Sequence, residues 1–271
     1  MDINEELQKK NKIYDHVASS TWRRIVYEPV HGGWEFVNIG GRQVLDFIGQ
    51  SAINRKSLEG VEFCCGSGAT CRYLAANYDL LLTGVDINQK QIEFAHEQLK
   101  LDQSIERDRI EFINADVLNW RPPRTFDFAF VMDSLMLLPD IPGALANLRG
   151  ALKDEGRTII AEVTAGEAIT EKARQLMWEF DGVINLPNAS QYATLLEEAG
   201  FVRISIDDRT DLGVHCFQTM SDSLDQFASE IIDNEGEQAF QGWRQNTDFY
   251  LNGFKSGVCR YLVIEAFNRH H

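Results

Sequence analysis

The sequence predicts an α/β fold built on a mostly parallel sheet, and two observations support this prediction. Between residues 57 and 163, short apolar runs of strand length alternate with segments of helical period, which is the pattern of crossover units on a parallel sheet. Nearer the C-terminus, two more apolar runs enclose a long helical stretch, an arrangement that suits an antiparallel edge hairpin. We therefore expect a sheet of seven strands whose last strand is antiparallel.

Seven apolar runs supply the predicted strands. They begin at residues 61, 80, 110, 126, 157, 201 and 258, and in chain order they read VEFCC, LLLTGVD, IEFINAD, FDFAFVMD, RTIIAEV, FVRISID and VCRYLVIEAF. The segments between them carry helix signals, such as Asn88 with Gln91 three positions later, the spacing of a capping box. Residues 139–152 form another predicted helix, which is opened by a proline.

Aromatic-rich segments interrupt this alternation and define the predicted domain organisation. Residues 1–56 are predicted to form an N-terminal helical lid, because they mix aromatic residues with glycines and contain no clean strand. Residues 57–271 are the predicted catalytic domain, with helical cap insertions at about 164–190 and 210–255. The aromatic residues of these insertions suit the enclosure of something small.

Composition excludes several classes of partner. The formal net charge of -15 would repel a phosphate backbone, so we expect no nucleic-acid partner. The polar N-terminus does not resemble a signal peptide and no run reaches the length of a membrane span, so we expect a cytoplasmic protein without a membrane partner. The five cysteines form no CxxC pair and no zinc-like spacing, which predicts reduced thiols and no metal site. A homo-oligomer is compatible with the sequence.

The segment CCGSGAT follows the first predicted strand and opens a helix. Gly66 and Gly68 in such a turn let a nucleotide-like ligand lie against the backbone, although a short glycine pattern alone is a weak signal. Acidic residues strengthen it, since Asp86, Asp116 and Asp133 end the next three strands. Ligands of open parallel sheets bind beyond the carboxyl ends of the strands, so these acids are predicted to share the ligand's side with the glycine turn.

Four segments together resemble the class I S-adenosylmethionine-dependent methyltransferases in order and spacing. They are VEFCCGSGAT, GVDINQKQIEFA, INADVLNW and the long run from FDFAFVMD to RTIIAEV. The resemblance covers residues 57–163 and implies a Rossmann-like domain that binds S-adenosylmethionine and a small-molecule methyl acceptor. It places Glu62 and the glycine loop at the methionine end of the cofactor, Asp86 at the ribose, Asp116 at the adenine amine and Asp133 at the methyl-transfer cleft.

The full set of residues that the resemblance assigns to cofactor binding is Glu62, Cys64, Gly66, Gly68, Asp86, Ile87, Gln91, Asp116, Val117 and Asp133. Two positions depart from the family pattern. Cys64 stands where the family loop has its first glycine, and Leu137 stands where some amine methyltransferases carry a histidine. A dehydrogenase interpretation of the loop is weaker, because Cys71 replaces the third glycine of the G-x-G-x-x-G pattern.

Four residues are candidates for catalysis. His31 lies in VHGGW, which resembles a stretch that precedes the cofactor domain in several small-molecule methyltransferases, and Tyr14 belongs to the predicted lid. Glu162, near the end of the fifth strand, is an acid that could hold a cationic amine or act as a base. His215 follows the sixth strand and is the weaker candidate base.

The predicted function is methyl transfer to the nitrogen or oxygen of a metabolite or natural product. Methyl transfer from a sulfonium mainly needs alignment, exclusion of water and a nucleophile with a free lone pair, so an amine acceptor does not require a strong base. Three alternatives stay open at this point. They are a C-methyltransferase that uses Glu162 as base, an arsenite methyltransferase that uses cysteines, and a non-catalytic subunit that binds the cofactor without turnover.

Overall fold

The computed structural model describes residues 27, 28, 31, 36–54 and 58–269. Tyr14 and most of the predicted N-terminal lid lie outside the described residues. The division into a lid and a catalytic domain at residue 57 therefore stays a prediction.

One seven-stranded sheet organises the described chain. Its strands lie in the order β3-β2-β1-β4-β5-β7-β6. β7 is antiparallel to both of its neighbours, and every other pair is parallel. The strands are β1 (Glu59–Phe63), β2 (Leu81–Asp86), β3 (Ile110–Asn114), β4 (Phe126–Met132), β5 (Leu152–Ala165), β6 (Phe201–Asp208) and β7 (Cys259–Asn268). The predicted fold class is confirmed.

Helices connect the strands and form the cap. The helices up to the fifth strand are α1 (Gly41–Asn54), α2 (Ala69–Tyr78), α3 (Gln89–Leu101) and α4 (Ile141–Gly150). Those beyond it are α5 (Glu171–Asp181), α6 (Ala189–Glu198), α7 (Thr210–Gln226), α8 (Ala228–Glu235) and α9 (Glu237–Ser256). Within the described part of the chain, no helix is long and apolar enough to span a bilayer.

The two faces of the sheet bury separate apolar clusters. One cluster joins α1, α2, α3 and the cap helices to one face, and it includes Ile48, Leu74 and Phe254. The other joins α4 and α6 to the opposite face, and it includes Phe63, Leu145 and Tyr192. Side chains of a strand alternate between the two faces, so neighbouring residues of β5 serve different clusters.

The chain changes direction across the sheet between β1 and β4. From β1 it runs outward through β2 to β3, and it then returns to the other side of β1 as β4. Loops that follow β1 and β4 therefore diverge, and they leave a crevice at the carboxyl edge of the sheet. This topology places the glycine segment and Asp133 on opposite sides of one crevice.

Two strand boundaries differ from the prediction. The first strand ends at Phe63, so Cys64 and Cys65 lie in the turn that follows it. Both cysteines are free, as are Cys71, Cys216 and Cys259. The fifth strand runs from Leu152 to Ala165, because pairing of Leu152 with Phe126 of β4 extends its start and antiparallel pairing with β7 extends its end to Ala165.

Candidate active site

A turn of left-handed residues forms the glycine segment after β1. Cys64, Gly66 and Gly68 have φ values of 60°, 50° and 70°. The Cys65 N–H donates to Val85 O at 3.1 Å, and the Gly68 N–H donates to Cys65 O at 2.9 Å. Cys64, the departure from the family glycine, thus holds a conformation that costs a side-chain-bearing residue about 1–2 kcal/mol.

The two glycines of the turn face different surroundings. A Cβ added at Gly66 would have no neighbour within 4 Å. A Cβ added at Gly68 would lie 2.3 Å from Cζ of Phe112 and 3.0 Å from Cβ of Ala95. Gly68 is therefore needed for packing of the turn onto β3 and α3, whereas Gly66 borders open space.

Asp86 fastens this turn to the end of β2. Its Oδ2 accepts the Gly66 N–H at 2.9 Å, and its Oδ1 accepts the Asn88 N–H at 2.8 Å. Burial raises the pKa of Asp86, and these two N–H groups act in the opposite direction. Each carboxylate oxygen retains capacity for another donor, so the side chain can still bind a hydroxyl group.

Asp116 and its neighbours form the adjoining wall after β3. Asp116 Oδ1 accepts the Leu118 N–H at 3.0 Å, and its Oδ2 accepts the Asn119 side-chain amide at 2.6 Å. The Ala115 N–H donates to Asp86 O at 2.9 Å, which links this wall to the end of β2. Val117 is buried and Ile87 is 54% exposed. Gln91, by contrast, is buried within α3.

Glu62 is buried in β1 beneath the glycine turn. Its Oε2 accepts the Cys71 thiol at 3.0 Å. Burial raises the pKa of Glu62 to about 8, which the hydrogen bonds from Cys71 and Thr70 only partly offset. The side chain is therefore mainly protonated at neutral pH, and a cationic group beside it would favour its charged form.

Asp133 directly follows the last residue of β4, on the opposite side of the crevice from the glycine turn. It is a left-handed residue with φ 46°, and its own N–H donates to Ala161 O at 2.8 Å. Its Oδ2 accepts the Ile39 N–H at 2.9 Å and the Tyr261 hydroxyl at 3.4 Å. Its Oδ1 is buried without a hydrogen-bond partner among the described residues. Burial raises the pKa of Asp133 to about 7, so it titrates near neutral pH.

Glu162 lies within β5, three residues before the end of the strand, and its side chain is fully buried. Its Oε2 accepts the N–H groups of Ser134 at 3.2 Å and Leu135 at 2.9 Å. Burial, together with the nearby charge of Asp133, raises its pKa well above the ordinary range of a glutamate.

The two candidate histidines lie in different surroundings, one buried and one exposed. His31 is 3% exposed, its ring meets that of Tyr27 edge-on at 4.9 Å, and its backbone packs against Gly41 at the start of α1. His215 lies inside α7 rather than in a loop, and it is exposed while the next residue, Cys216, is buried. The structure therefore does not bring His215 to the buried acids.

Two polar groups near this site escaped the sequence reasoning. Tyr261, in the last strand, reaches across the sheet to donate to Ile39 O at 2.8 Å. In the cap, Asp181 of α5 accepts the Tyr250 hydroxyl at 2.7 Å and the Asn246 amide at 3.1 Å. Burial raises the pKa of Asp181 to about 6. The sequence carries little signal for either group, since Tyr261 is one aromatic residue of a buried strand and Asp181 is one of several charged residues of α5.

The chain belongs to the methyltransferase-domain family, whose model matches residues 38–206. This confirms the family expected from the glycine turn and the acids that follow it.

Related proteins include N- and O-methyltransferases. A phosphoethanolamine N-methyltransferase of Triticum aestivum is 25% identical over 240 residues, which are 86% of this chain and 46% of the wheat protein. An O-methyltransferase of Penicillium expansum is 27% identical over 165 residues, 59% of each chain. The chain thus spans about half the length of the phosphoethanolamine N-methyltransferases that it matches.

A solved structure shares the fold at low sequence identity. It is phosphoethanolamine N-methyltransferase 2 of Haemonchus contortus, in complex with phosphomonomethylethanolamine and S-adenosylhomocysteine. The TM-score is 0.81 and the identity 16%, with 100% of this chain and 61% of the other covered. At this identity the likeness shows the fold alone.

The contrast between the two glycines gives a first prediction. Gly68→Ala should lower the free energy of unfolding by roughly 2–4 kcal/mol, because it combines a left-handed backbone with overpacking against Phe112. Gly66→Ala should cost only about 1–2 kcal/mol, since only the backbone conformation opposes it. Urea unfolding of both variants measures the difference. Equal losses of stability would show that the surroundings of the two glycines are not as described.

The raised pKa of Glu62 gives a second prediction. Between its ordinary pKa near 4.5 and its folded value of about 8, the folded state holds a proton that the unfolded state has lost. This contribution to stability is complete below pH 4.5 and is lost as the pH rises to about 8. Between pH 5 and 8, the free energy of unfolding of Glu62→Gln should therefore fall less steeply than that of the wild type, by up to about 1.36 kcal/mol per pH unit. Parallel pH slopes for the two proteins in urea unfolding would contradict a raised pKa.

Proposed function

We propose that the protein is an S-adenosylmethionine-dependent methyltransferase that acts on the nitrogen or oxygen of a small-molecule acceptor. The observation that carries this proposal is the crevice between β1 and β4, which has the turn at Gly66 on one side and Asp133 on the other. The cofactor, when bound, supplies an electrophilic methyl group on sulfur. The contribution of the protein is to bind and orient the cofactor and the acceptor and to exclude water.

The described residues fit such a cofactor. Gly66 offers a surface that no side chain fills, and Asp86 keeps lone pairs for hydroxyl groups beside it. We assign Asp86 to the ribose, Asp116 with Val117 and Ile87 to the adenine side, and Glu62 with the turn at Cys64–Gly68 to the amino-acid end. Gln91 is buried behind this surface, so we assign it a supporting position in α3.

On the acceptor's side we assign the main contact to Asp133. The Ile39 N–H donates to one carboxyl oxygen, which also lies 3.4 Å from the Tyr261 hydroxyl, and the other oxygen, buried in the ligand-free chain without a partner among the described residues, is the one that we assign to a donor of the bound acceptor. A carboxyl group that titrates near pH 7 can orient an amine and take up the proton that the amine loses. His31 and Tyr14 remain candidates for catalysis, and the cytoplasmic location remains a prediction.

Contacts extend from Asp133 into the cap and favour an amine over a phosphorylated acceptor. Asp133 contacts Tyr261, and burial with the charge of Asp133 raises the pKa of the nearby Cys216 thiol. Phe217, next along α7, stacks on Tyr250 at 5.0 Å, and Tyr250 donates to Asp181. The wall from Asp133 to Asp181 thus carries an acid at each end.

The described cations of the cap point to the same class of acceptor. Arg209 pairs with Asp211, Arg244 with Asp225, Arg260 with Glu167 and Arg174 with Glu171, while Lys255 donates to Gln218 and Lys172 is exposed. These arginines are already neutralised by carboxylates at the surface. A cationic amine therefore suits the wall better than a phosphate group does.

Cofactor binding gives the direct test of the function. Asp86→Ala should weaken the binding of S-adenosylmethionine at least about tenfold, since it removes a charged acceptor and loosens the turn at Gly66. Isothermal titration calorimetry of the purified protein measures this affinity. Glu93→Ala, on the exposed face of α3, is the matched control and should bind like the wild type. If the wild-type protein binds NADH and not S-adenosylmethionine, the proposed function is wrong.

The charge of the acceptor gives a separate test. Monomethylethanolamine should be methylated with a kcat/KM about tenfold above that of its phosphate ester, because the wall carries acids at both ends. Asp181→Asn should reduce this preference and raise the KM for the amine, whereas Asp222→Asn, on the exposed face of α7, should not. Radioactive methyl transfer to each compound provides the measurement. A preference for the phosphate ester that survives in Asp181→Asn would overturn the amine assignment.

A further inference from the structure

We infer that Glu162 is a positioning residue that sets Asp133 and the segment 133–138 at the crevice, and that it is not a base that touches the acceptor. The inference rests on the proposed function for its catalytic consequence. The geometry that supports it is a property of the protein without ligands.

Three consecutive backbone N–H groups end on two adjacent residues of β5. The N–H of Asp133 donates to Ala161 O at 2.8 Å, and the N–H groups of Ser134 and Leu135 both donate to Glu162 Oε2, at 3.2 and 2.9 Å. A side-chain carboxyl thus continues the ladder that β4 and β5 begin. It does so beyond the last residue of β4, where the chain leaves the sheet.

This anchoring explains how Asp133 keeps its unusual backbone. A residue with a side chain at φ 46° is strained by about 1–3 kcal/mol, and it persists only where the surroundings fix it. The N–H of Asp133 and the N–H groups of the two residues that follow it all donate to β5. Loss of the Glu162 carboxyl would release the two amides that follow Asp133 and let its side chain leave Ile39 and Tyr261.

The same segment supports the cap. Leu135–Leu137 forms a short 3-10 turn, and Met136 O accepts the N–H groups of Ile184 and Asn185, each at 3.0 Å. The Asn185 side chain donates to Leu138 O at 2.6 Å. Glu162 therefore anchors the segment 133–138, which begins with Asp133 and binds Ile184 and Asn185 of the first cap insertion near its other end.

The two carboxyl oxygens of Glu162 have different surroundings. Glu162 Oε2 serves two amides, while Oε1 is buried, without a hydrogen-bond partner among the described residues. The hydroxyl of Tyr192, whose side chain is likewise fully buried, has no partner in this part of the chain either. Burial, and then the charges of Glu162 and Asp133, raise the pKa of Tyr192.

The buried position also argues against direct contact with an acceptor. The side chain of Glu162 is 0% exposed, and it points to the face of the sheet that carries α4 and α6. The cap helices and their aromatic wall lie over the other face, the face of Ala161 and Val163. Asp133, not Glu162, reaches from β4 towards that wall.

The experiment compares Glu162→Gln with Glu162→Leu, and Thr158→Val is the control on the same strand. Glutamine retains a carbonyl oxygen for the two amides and an N–H for the buried side, whereas leucine retains neither. Hydrogen exchange of the ligand-free protein, followed at the amides of Ser134 and Leu135, is the first readout. We expect Glu162→Leu to speed this exchange at least about tenfold, and Glu162→Gln and the control to leave it within about threefold of wild type.

Kinetics with monomethylethanolamine and its phosphate ester are the second readout. Glu162→Leu should raise the acceptor KM and lower kcat, and Glu162→Gln should rescue both to within about fivefold, with the pH profile unchanged. A general base contributes roughly 10²–10⁴-fold. A loss of that size in Glu162→Gln, with amide protection intact, would make Glu162 a base and overturn the inference.

The two proposals fail in distinguishable ways. If the wild-type protein transfers no methyl group to either compound and binds no S-adenosylmethionine, the proposed function fails, and the amide exchange still decides the positioning role. If Glu162→Leu does not fold, Glu162→Gln alone decides it. Fast exchange at Ser134 and Leu135 in that variant would contradict the rescue that positioning requires.

Discussion

The parallel pairing of β1 with β4 is the constraint on which the site depends. Because the two strands run side by side in the same direction, the chain must leave both at the same edge, yet it continues from β1 to β2 on one side and from β4 to β5 on the other. The crevice is a consequence of this divergence and not of any single residue. Asp86 and Glu162 then lie where a neighbouring strand, β1 or β4, ends and the backbone groups that follow it need new partners.

That need explains why the acids do two kinds of work. Asp86 satisfies the amides of Gly66 and Asn88, and Glu162 satisfies those of Ser134 and Leu135. Buried amides without partners cost about 1–3 kcal/mol each, so a carboxyl at these positions stabilises the loops that shape the crevice. The same burial raises the pKa of each carboxyl. One arrangement therefore both anchors a loop and raises the pKa of the carboxyl. Whether such a carboxyl can also bind a ligand depends on which of its oxygens can accept a further donor.

Local patterns in the sequence were sufficient for the strands, the glycine turn and Asp86, because these features depend on residues close together in the chain. Tyr261 was not predictable, since its contact with Ile39 joins positions 222 residues apart through the order of the sheet. His215 was a candidate base because it follows the sixth strand in the sequence. The residues around it form a continuous helix, and the buried side of that helix belongs to its apolar neighbours. Glu162 was found from its strand, but the side to which it points follows from the register of β5 against its neighbours.

For the proposed amine acceptor, the acidic interior and the acidic surface would act in the same direction. Asp133 and Asp181 lie at the ends of an aromatic wall, and their raised pKa values of about 7 and 6 mean that burial keeps both partly protonated near neutral pH. A cation that enters between them restores their charged forms and repays part of that cost, whereas an anion would increase it. The net charge of -15 extends the same preference beyond the site, because the surface field attracts cations over about 8–10 Å at physiological salt. Selectivity for a cationic amine would thus originate in the electrostatics of the whole chain, while Asp133 supplies only its final orientation.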